Sequence, residues 1–362
     1  MGRILTLHAP IDVHVHLRGM DWAHKGTFLS ETTAALAGGY VCVLDMPNTL
    51  PSTTTPDALA YKLAEIGREA VTDWGVYYGA GQHPDAQVFA QVGADVCGMK
   101  MYCNETTGEL LIEDQALREA HFAAWKASRN RQPIAVHAEN ETVLEILALV
   151  RKYGVRTHFC HISTAQEIDY LRAAKEEGLL VTLGVCPHHL YLHEGDLARL
   201  GAHGMMKPPL KTQADCEALW AALADGTVDV IESDHAPHSL ADKAAEKPAY
   251  GVPGLETTIP LMCTAVKQGR ITMARLAELV TLNAARIFNI AYGGDTYTEI
   301  DFDEEYTLER GMFRTLPGWS PFEGMTVNGR VKKVVLRGQT IFEDGHVLAA
   351  PGSGGNVRGM FA

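Results

Sequence analysis

Near its N-terminus the chain reads Ile11-Asp12-Val13-His14-Val15-His16-Leu17-Arg18. Apolar residues alternate with Asp12, His14 and His16, so an extended strand turns both imidazoles to one face. Two converging ring nitrogens suit a divalent transition metal; the competing reading is a pair of histidines satisfied by hydrogen bonds or by water. Further candidate ligands stand at the ends of later apolar runs: Lys100, His137, His161 and Asp234, with Asn48 after Met46-Pro47. Taken singly, His137 or His161 reads more readily as a satisfied histidine than as a ligand. Recurrence at the same end of successive strands favours a metal. Four imidazoles, a carboxylate and an amine are too many for one open catalytic site with three protein ligands, so two ions are implied. Lys100 lies within the apolar run Gly98-Met99-Lys100-Met101-Tyr102, where a charged amine lacks an obvious partner. Reaction with CO2 turns it into a carbamate, an anion able to bind two metals. An unmodified Lys100 paired with an acid remains the alternative.

These residues need a scaffold that brings many strand ends together. Short apolar runs at 11–18, 40–44, 74–79, 96–101, 134–138, 157–161, 179–185 and 228–231 read as eight strands. Helical patterns separate most of them: 27–37, 56–69, 114–129, 141–153, 165–177 and 214–223. This α/β alternation predicts parallel strands covered by helices, hence a (β/α)8 TIM barrel over residues 10–295. An open doubly wound sheet is disfavoured, because no Gly-x-Gly-x-x-Gly turn follows the first strand. A helix is expected at 273–288, then an irregular Asp-, Glu-, Gly- and Pro-rich segment to about Gly324. Strands at 327–336 and 339–347, turning at Arg337-Gly338, suggest a small accessory β unit formed by residues 1–9 and 296–362.

The formal net charge of −13 argues against a general nucleic-acid or anionic-membrane surface, without constraining a local pocket. Seven cysteines, an odd number with no Cys-x-x-Cys pair, suggest reduced thiols and a cytoplasmic location. No stretch reads as a signal peptide or a membrane span.

Together, His14-Val15-His16-Leu17-Arg18, Met46-Pro47-Asn48-Thr49, Gly98-Met99-Lys100-Met101-Tyr102, His137-Ala138-Glu139, Cys160-His161, Pro187-His188-His189-Leu190 and Ser233-Asp234-His235-Ala236-Pro237-His238 resemble the dihydroorotases of the amidohydrolase superfamily. The resemblance covers nearly the whole chain and is strongest to the domain found in the multifunctional animal pyrimidine-synthesis protein. It implies reversible, zinc-dependent cyclisation of N-carbamoyl-L-aspartate to dihydroorotate with loss of water, a step of pyrimidine biosynthesis. By the same resemblance His14, His16 and Asp234 hold one Zn2+, His137 and His161 a second, and carbamylated Lys100 bridges them. Asp234 is then the proton shuttle. Arg18 matches the substrate α-carboxylate bidentately, Asn48 adds a hydrogen bond, and His238 binds the same carboxylate. Backbone groups near Tyr250 and Gly251 read the ring amide, and Cys103 to Leu110 form a lid from which Thr106 touches substrate. A homodimer and a complex with aspartate transcarbamoylase are both compatible with the resemblance.

Three positions depart from the family pattern. Lys207 stands where relatives carry Arg or Asn, and Thr107 replaces a bulky lid residue. Gly184 stands where relatives often have Glu, so an additional metal depending on that carboxylate is not expected. A hydantoinase or allantoinase would share the metals but has no need to bind a carboxylate, which Arg18 and Asn48 supply. A silent scaffold for another pyrimidine enzyme would be expected to lose ligands, and none is lost.

Overall fold

The computed structural model describes residues 2–360; Met1, Phe361 and Ala362, at the ends of the expected accessory unit, lie outside the described residues. Strand β1 (Ile4–His8) precedes eight parallel strands: β2 (Ile11–Val15), β3 (Cys42–Asp45), β4 (Asp73–Gly79), β5 (Gly98–Tyr102), β6 (Ile134–His137), β7 (Thr157–Phe159), β8 (Val181–Val185) and β9 (Val230–Ile231). They pair in chain order. A parallel bridge between Val15 and His235, with the His16 N–H donating to the His235 carbonyl at 2.7 Å, brings the last strand back to the first. All eight expected strands are present, and their chain order yields the expected (β/α)8 barrel.

Most of the longer helices between strands start where the sequence supplies a cap. Thr27, Thr55, Asp85, Asp114, Thr164 and Thr212 each accept a hydrogen bond from a main-chain N–H of the following first turn. Several helices were not expected, among them the thirteen-residue Leu255–Lys267 and the short Ala86–Val92. The latter links β4 to β5; only seven residues long, it lacks the repeat that marks longer helices.

The segment after Gly269 differs most from expectation. The expected single helix at 273–288 is broken by a π-helical stretch, Glu278–Leu282. The segment expected to be irregular contains β10 (Tyr297–Thr307), an eleven-residue strand. Its acids hide it in the sequence: Glu299, Asp301 and Asp303 face outward while Thr298, Ile300 and Phe302 are buried. β10 lies between β1 and β11 (Thr326–Leu336), followed by β12 (Gln339–Glu343) and β13 (His346–Val347), in a five-stranded antiparallel sheet. This sheet shares the barrel's apolar core through Ile300, Phe302, Val331 and Val334. Among the described residues no helix is long and apolar enough to cross a membrane, and all seven cysteines are buried and unpaired.

Candidate metal centre

β2 carries His14, and His16 directly follows its end, at the barrel mouth where four imidazoles converge. Ring centroids lie 5.3 Å apart for His14 and His16, 5.1 Å for His14 and His161, and 4.5 Å for His137 and His161. Asp234, directly after β9, places Oδ1 3.3 Å from His14 Nε2 and 3.0 Å from His16 Nε2. Arg18, His161 and Asp234 have φ of 64°, 38° and 44°. Non-glycine residues hold such values only where the surroundings enforce them, and functional sites are where this concentrates.

The ring electrostatics suit cation binding. Burial, then the nearby Lys100 charge, pushes His14 down to about 4. Burial, then Arg18, takes His16 well below the ordinary range; burial, then His137 and Lys100, does the same to His161. These rings are therefore neutral at pH 7. Asn48 Oδ1, 2.7 Å from His16 Nδ1, requires the proton on that nitrogen and leaves Nε2 as a lone pair facing Asp234. A carboxylate and a lone pair at 3.0 Å repel; a cation between them makes the contact favourable. One donor atom from each of His14, His16 and Asp234 lies within 4.8 Å of the others, so the group could hold a metal ion. His161 Nδ1 is buried with no hydrogen-bond partner, while His137 Nε2 pairs with Glu139 at 2.9 Å.

Lys100 is fully buried on β5. Its Nζ lies 3.1 Å from Cys160 Sγ and 5.1 Å from the centre of the Tyr102 ring, and among the described residues no carboxylate pairs with it. The alternative of an acid-paired lysine finds no partner here.

Arg18 is also buried without a carboxylate partner among the described residues. Its Nε donates to the Pro237 carbonyl at 3.1 Å and its Nη2 to His238 Nε2 at 3.0 Å, and burial brings the guanidinium down to about 10. A small cavity of about 20 Å³ is lined by His14, His16, Arg18, Asn48, Thr106, Lys207, Tyr250 and Gly251, among others. It is small because the 103–110 loop folds over it. Asn48 Nδ2 donates to the Thr107 carbonyl at 3.0 Å, Thr107 Oγ1 donates to the Tyr250 carbonyl at 3.1 Å, and Lys207 reaches Glu105 at 3.2 Å. The Gly251 N–H is taken by the Met205 carbonyl. A cleft of about 500 Å³ beside the antiparallel sheet is far larger, but its lining of Glu256, Arg314, Arg330 and neighbours includes none of the clustered histidines. Chemistry rather than volume therefore locates the site.

Sequence reasoning missed Glu232, fully buried between His14, His158 and His161. Its position two residues before Asp234 was a usable signal. It also missed the fully buried Lys62–Asp45 pair at 2.6 Å, in which Asp45 accepts the Leu17 N–H at 2.7 Å and so secures the backbone beside Arg18.

An eight-stranded barrel with imidazoles, a carboxylate and a buried lysine at one mouth defines a class, and the chain belongs to the amidohydrolase family, whose model matches residues 9–341. It is 42% identical over 359 residues to the "Multifunctional protein CAD" of Squalus acanthias; the match covers 98% of this chain and 16% of that protein's length. It is also 32% identical to a dihydroorotase of Methanosarcina mazei, covering 98% of this chain and 87% of the relative. Among solved structures, an L-hydantoinase (dihydropyrimidinase) from Arthrobacter aurescens superposes with a TM-score of 0.91 at 26% identity, covering 97% of this chain and 88% of that one.

Proposed function

We propose that the chain is a dihydroorotase, interconverting dihydroorotate and N-carbamoyl-L-aspartate. One observation carries the choice within the family: Arg18, buried beside the histidine cluster and bonded to His238, has no carboxylate of its own among the described residues. A desolvated guanidinium fork calls for an anionic ligand, and dihydroorotate brings a carboxylate that a hydantoin ring lacks. The 32% identical dihydroorotase and the 42% identical multifunctional protein support the same reading.

His14, His16 and Asp234 would hold one divalent ion and His137 and His161 a second, with carbamylated Lys100 between them; the nitrogen-rich donor set suits Zn2+. Bound there, the ions supply Lewis-acid polarisation of the ring carbonyl and a water of lowered pKa. Arg18 and His238 grip the substrate carboxylate and set the ring's orientation. Asp234 takes the proton of the attacking water and delivers it to the ring nitrogen as the C–N bond breaks. In the opposite direction it removes the proton from the carbamoyl nitrogen as the ring closes. Thr106 and Thr107, carried on the closing loop, exclude bulk water, and Lys207 and the Tyr250–Gly251 backbone complete the wall. The reading places the enzyme in the cytoplasm, consistent with seven unpaired thiols, and includes association with another pyrimidine-synthesis enzyme, since the 42% identical relative carries this unit within a multifunctional chain.

The test assays purified protein for both directions of the reaction, with hydantoin and allantoin as controls and metal content measured on the same sample. Turnover of dihydroorotate with about two metals per chain is expected. Turnover of the controls alone transfers the assignment to another cyclic amidase.

A further inference from the structure

Glu232 directly follows β9 and its carboxylate is fully buried. Groups from two other strand regions converge on it. The main-chain N–H of His161 donates to Oε1, and His158 Nε2 lies 3.3 Å from Oε2. His14 Nδ1, which has no hydrogen-bond partner, faces Oε1 at 3.6 Å. A lone pair on that nitrogen would be repelled by the carboxylate, whereas an N–H is attracted. With no cation between them, the charge selects the tautomer with its proton on Nδ1 and presents Nε2 as a lone pair toward Asp234. The contact to the His161 N–H also restrains a residue held at φ 38°.

The carboxylate has room because β8 carries glycine at 184. A Cβ placed there would lie 2.5 Å from Glu232 Cδ and 2.7 Å from Oε1, well inside contact distance. Two successive C–C bonds span about 2.5 Å, which is also the Cβ-to-Cδ reach of a glutamate. A glutamate at 184 could therefore bring its carboxyl carbon to the same point from the neighbouring strand. By the sequence, no additional metal depending on a carboxylate at 184 is expected; Glu232 supplies a carboxylate at that place, and its donor atom lies within 4.8 Å of those of His14 and Cys160.

We propose that Glu232, admitted by Gly184, is a positioning residue for the metal centre, fixing the His14 tautomer and the His161 backbone. The inference rests on the metal-dependent reading above. Carboxylates in this relation to a ligating histidine typically change metal affinity by about 10- to 100-fold when removed.

The test compares wild type, Glu232→Gln, Glu232→Ala and the double variant Glu232→Ala/Gly184→Glu. It measures zinc retained per folded chain across a chelator series, and dihydroorotate turnover with and without excess zinc. Both single variants are expected to release zinc at chelator concentrations about 10- to 100-fold lower than wild type and to recover turnover when zinc is in excess. The double variant is expected to regain retention, which a space-filling role for Glu232 would not produce. Glu232→Gln or Glu232→Ala holding zinc as wild type does overturns the inference, as does a folded double variant that leaks like Glu232→Ala. Should Glu232→Ala not fold, Glu232→Gln and the double variant decide by the same criteria. A wild-type protein that retains no zinc and turns over no dihydroorotate overturns the functional reading itself, whereas a zinc-retaining, active wild type whose single variants retain zinc equally well overturns only the role of Glu232.

Discussion

Asn48 Oδ1 accepts the Nδ1 proton of His16 at 2.7 Å, while the same amide donates from Nδ2 to the Thr107 carbonyl at 3.0 Å. One side chain therefore sets the tautomer of a candidate ligand and anchors the loop that covers it. Asn48→Ala is expected to weaken zinc retention by about 10- to 100-fold, because His16 Nε2 is no longer held as the lone-pair nitrogen. Zinc content during chelator dialysis checks this. Unchanged retention with a raised KM would assign Asn48 to substrate alone.

Lys100 is fully buried, and among the described residues its one polar neighbour at hydrogen-bond distance is a thiol. Lys100→Ala is expected to reduce turnover by at least about 100-fold and to lower bound metal together with it, as removal of a shared ligand should. Mass spectrometry of the intact wild-type protein under bicarbonate should show the added CO2. Full activity with two metals retained in Lys100→Ala would remove the bridging role.

Lys62 and Asp45 are both inaccessible and meet at 2.6 Å, and Lys62 also donates to the Met46 carbonyl at 2.6 Å. Replacing the lysine by methionine keeps the volume but strands a buried carboxylate. Lys62→Met is expected to lose about 3–5 kcal/mol of unfolding free energy. Urea denaturation measures it, and a loss below about 1 kcal/mol would show that Asp45 is satisfied by the Leu17 N–H.

The loop over the site is tied down by Thr107 Oγ1 to the Tyr250 carbonyl. A neutral hydrogen bond of this kind contributes about 0.5–1.5 kcal/mol, so Thr107→Val should raise KM by about 2- to 10-fold. Steady-state kinetics and the rate of proteolytic cleavage within residues 103–110 both report on it; the variant should be cut faster in the absence of substrate. Equal KM and equal cleavage would mean that the loop closes without this contact.

What the sequence revealed about the site follows from local periodicity. His14 and His16 two apart at a strand end, and His137 and His161 at the ends of short apolar runs, could be placed because strand geometry alone turns them to one rim. β10 escaped because its solvent face is acidic, and only its pairing with β1 and β11 shows that Ile300 and Phe302 point inward. Glu232 and the Asp45–Lys62 pair were harder still. Their partners stand 71 residues away at His161 and 17 away on the following helix; spacing to Asp234 could mark Glu232 as a candidate, but no local pattern encodes these contacts. The loop's closure likewise depends on Thr107 meeting Tyr250, 143 residues further on.

In the proposed reaction Arg18 selects an acid. Dihydrouracil, the same ring without the carboxylate, isolates that choice. The decisive measurement is the ratio of kcat/KM for dihydroorotate over dihydrouracil in wild type and in Arg18→Ala. Wild type should favour dihydroorotate by at least about 100-fold, the worth of a pair of charge-assisted hydrogen bonds, and Arg18→Ala should remove most of that preference, leaving only what His238 retains. A wild-type enzyme that processes dihydrouracil as well as dihydroorotate, or an Arg18→Ala variant that keeps the preference, would contradict the account.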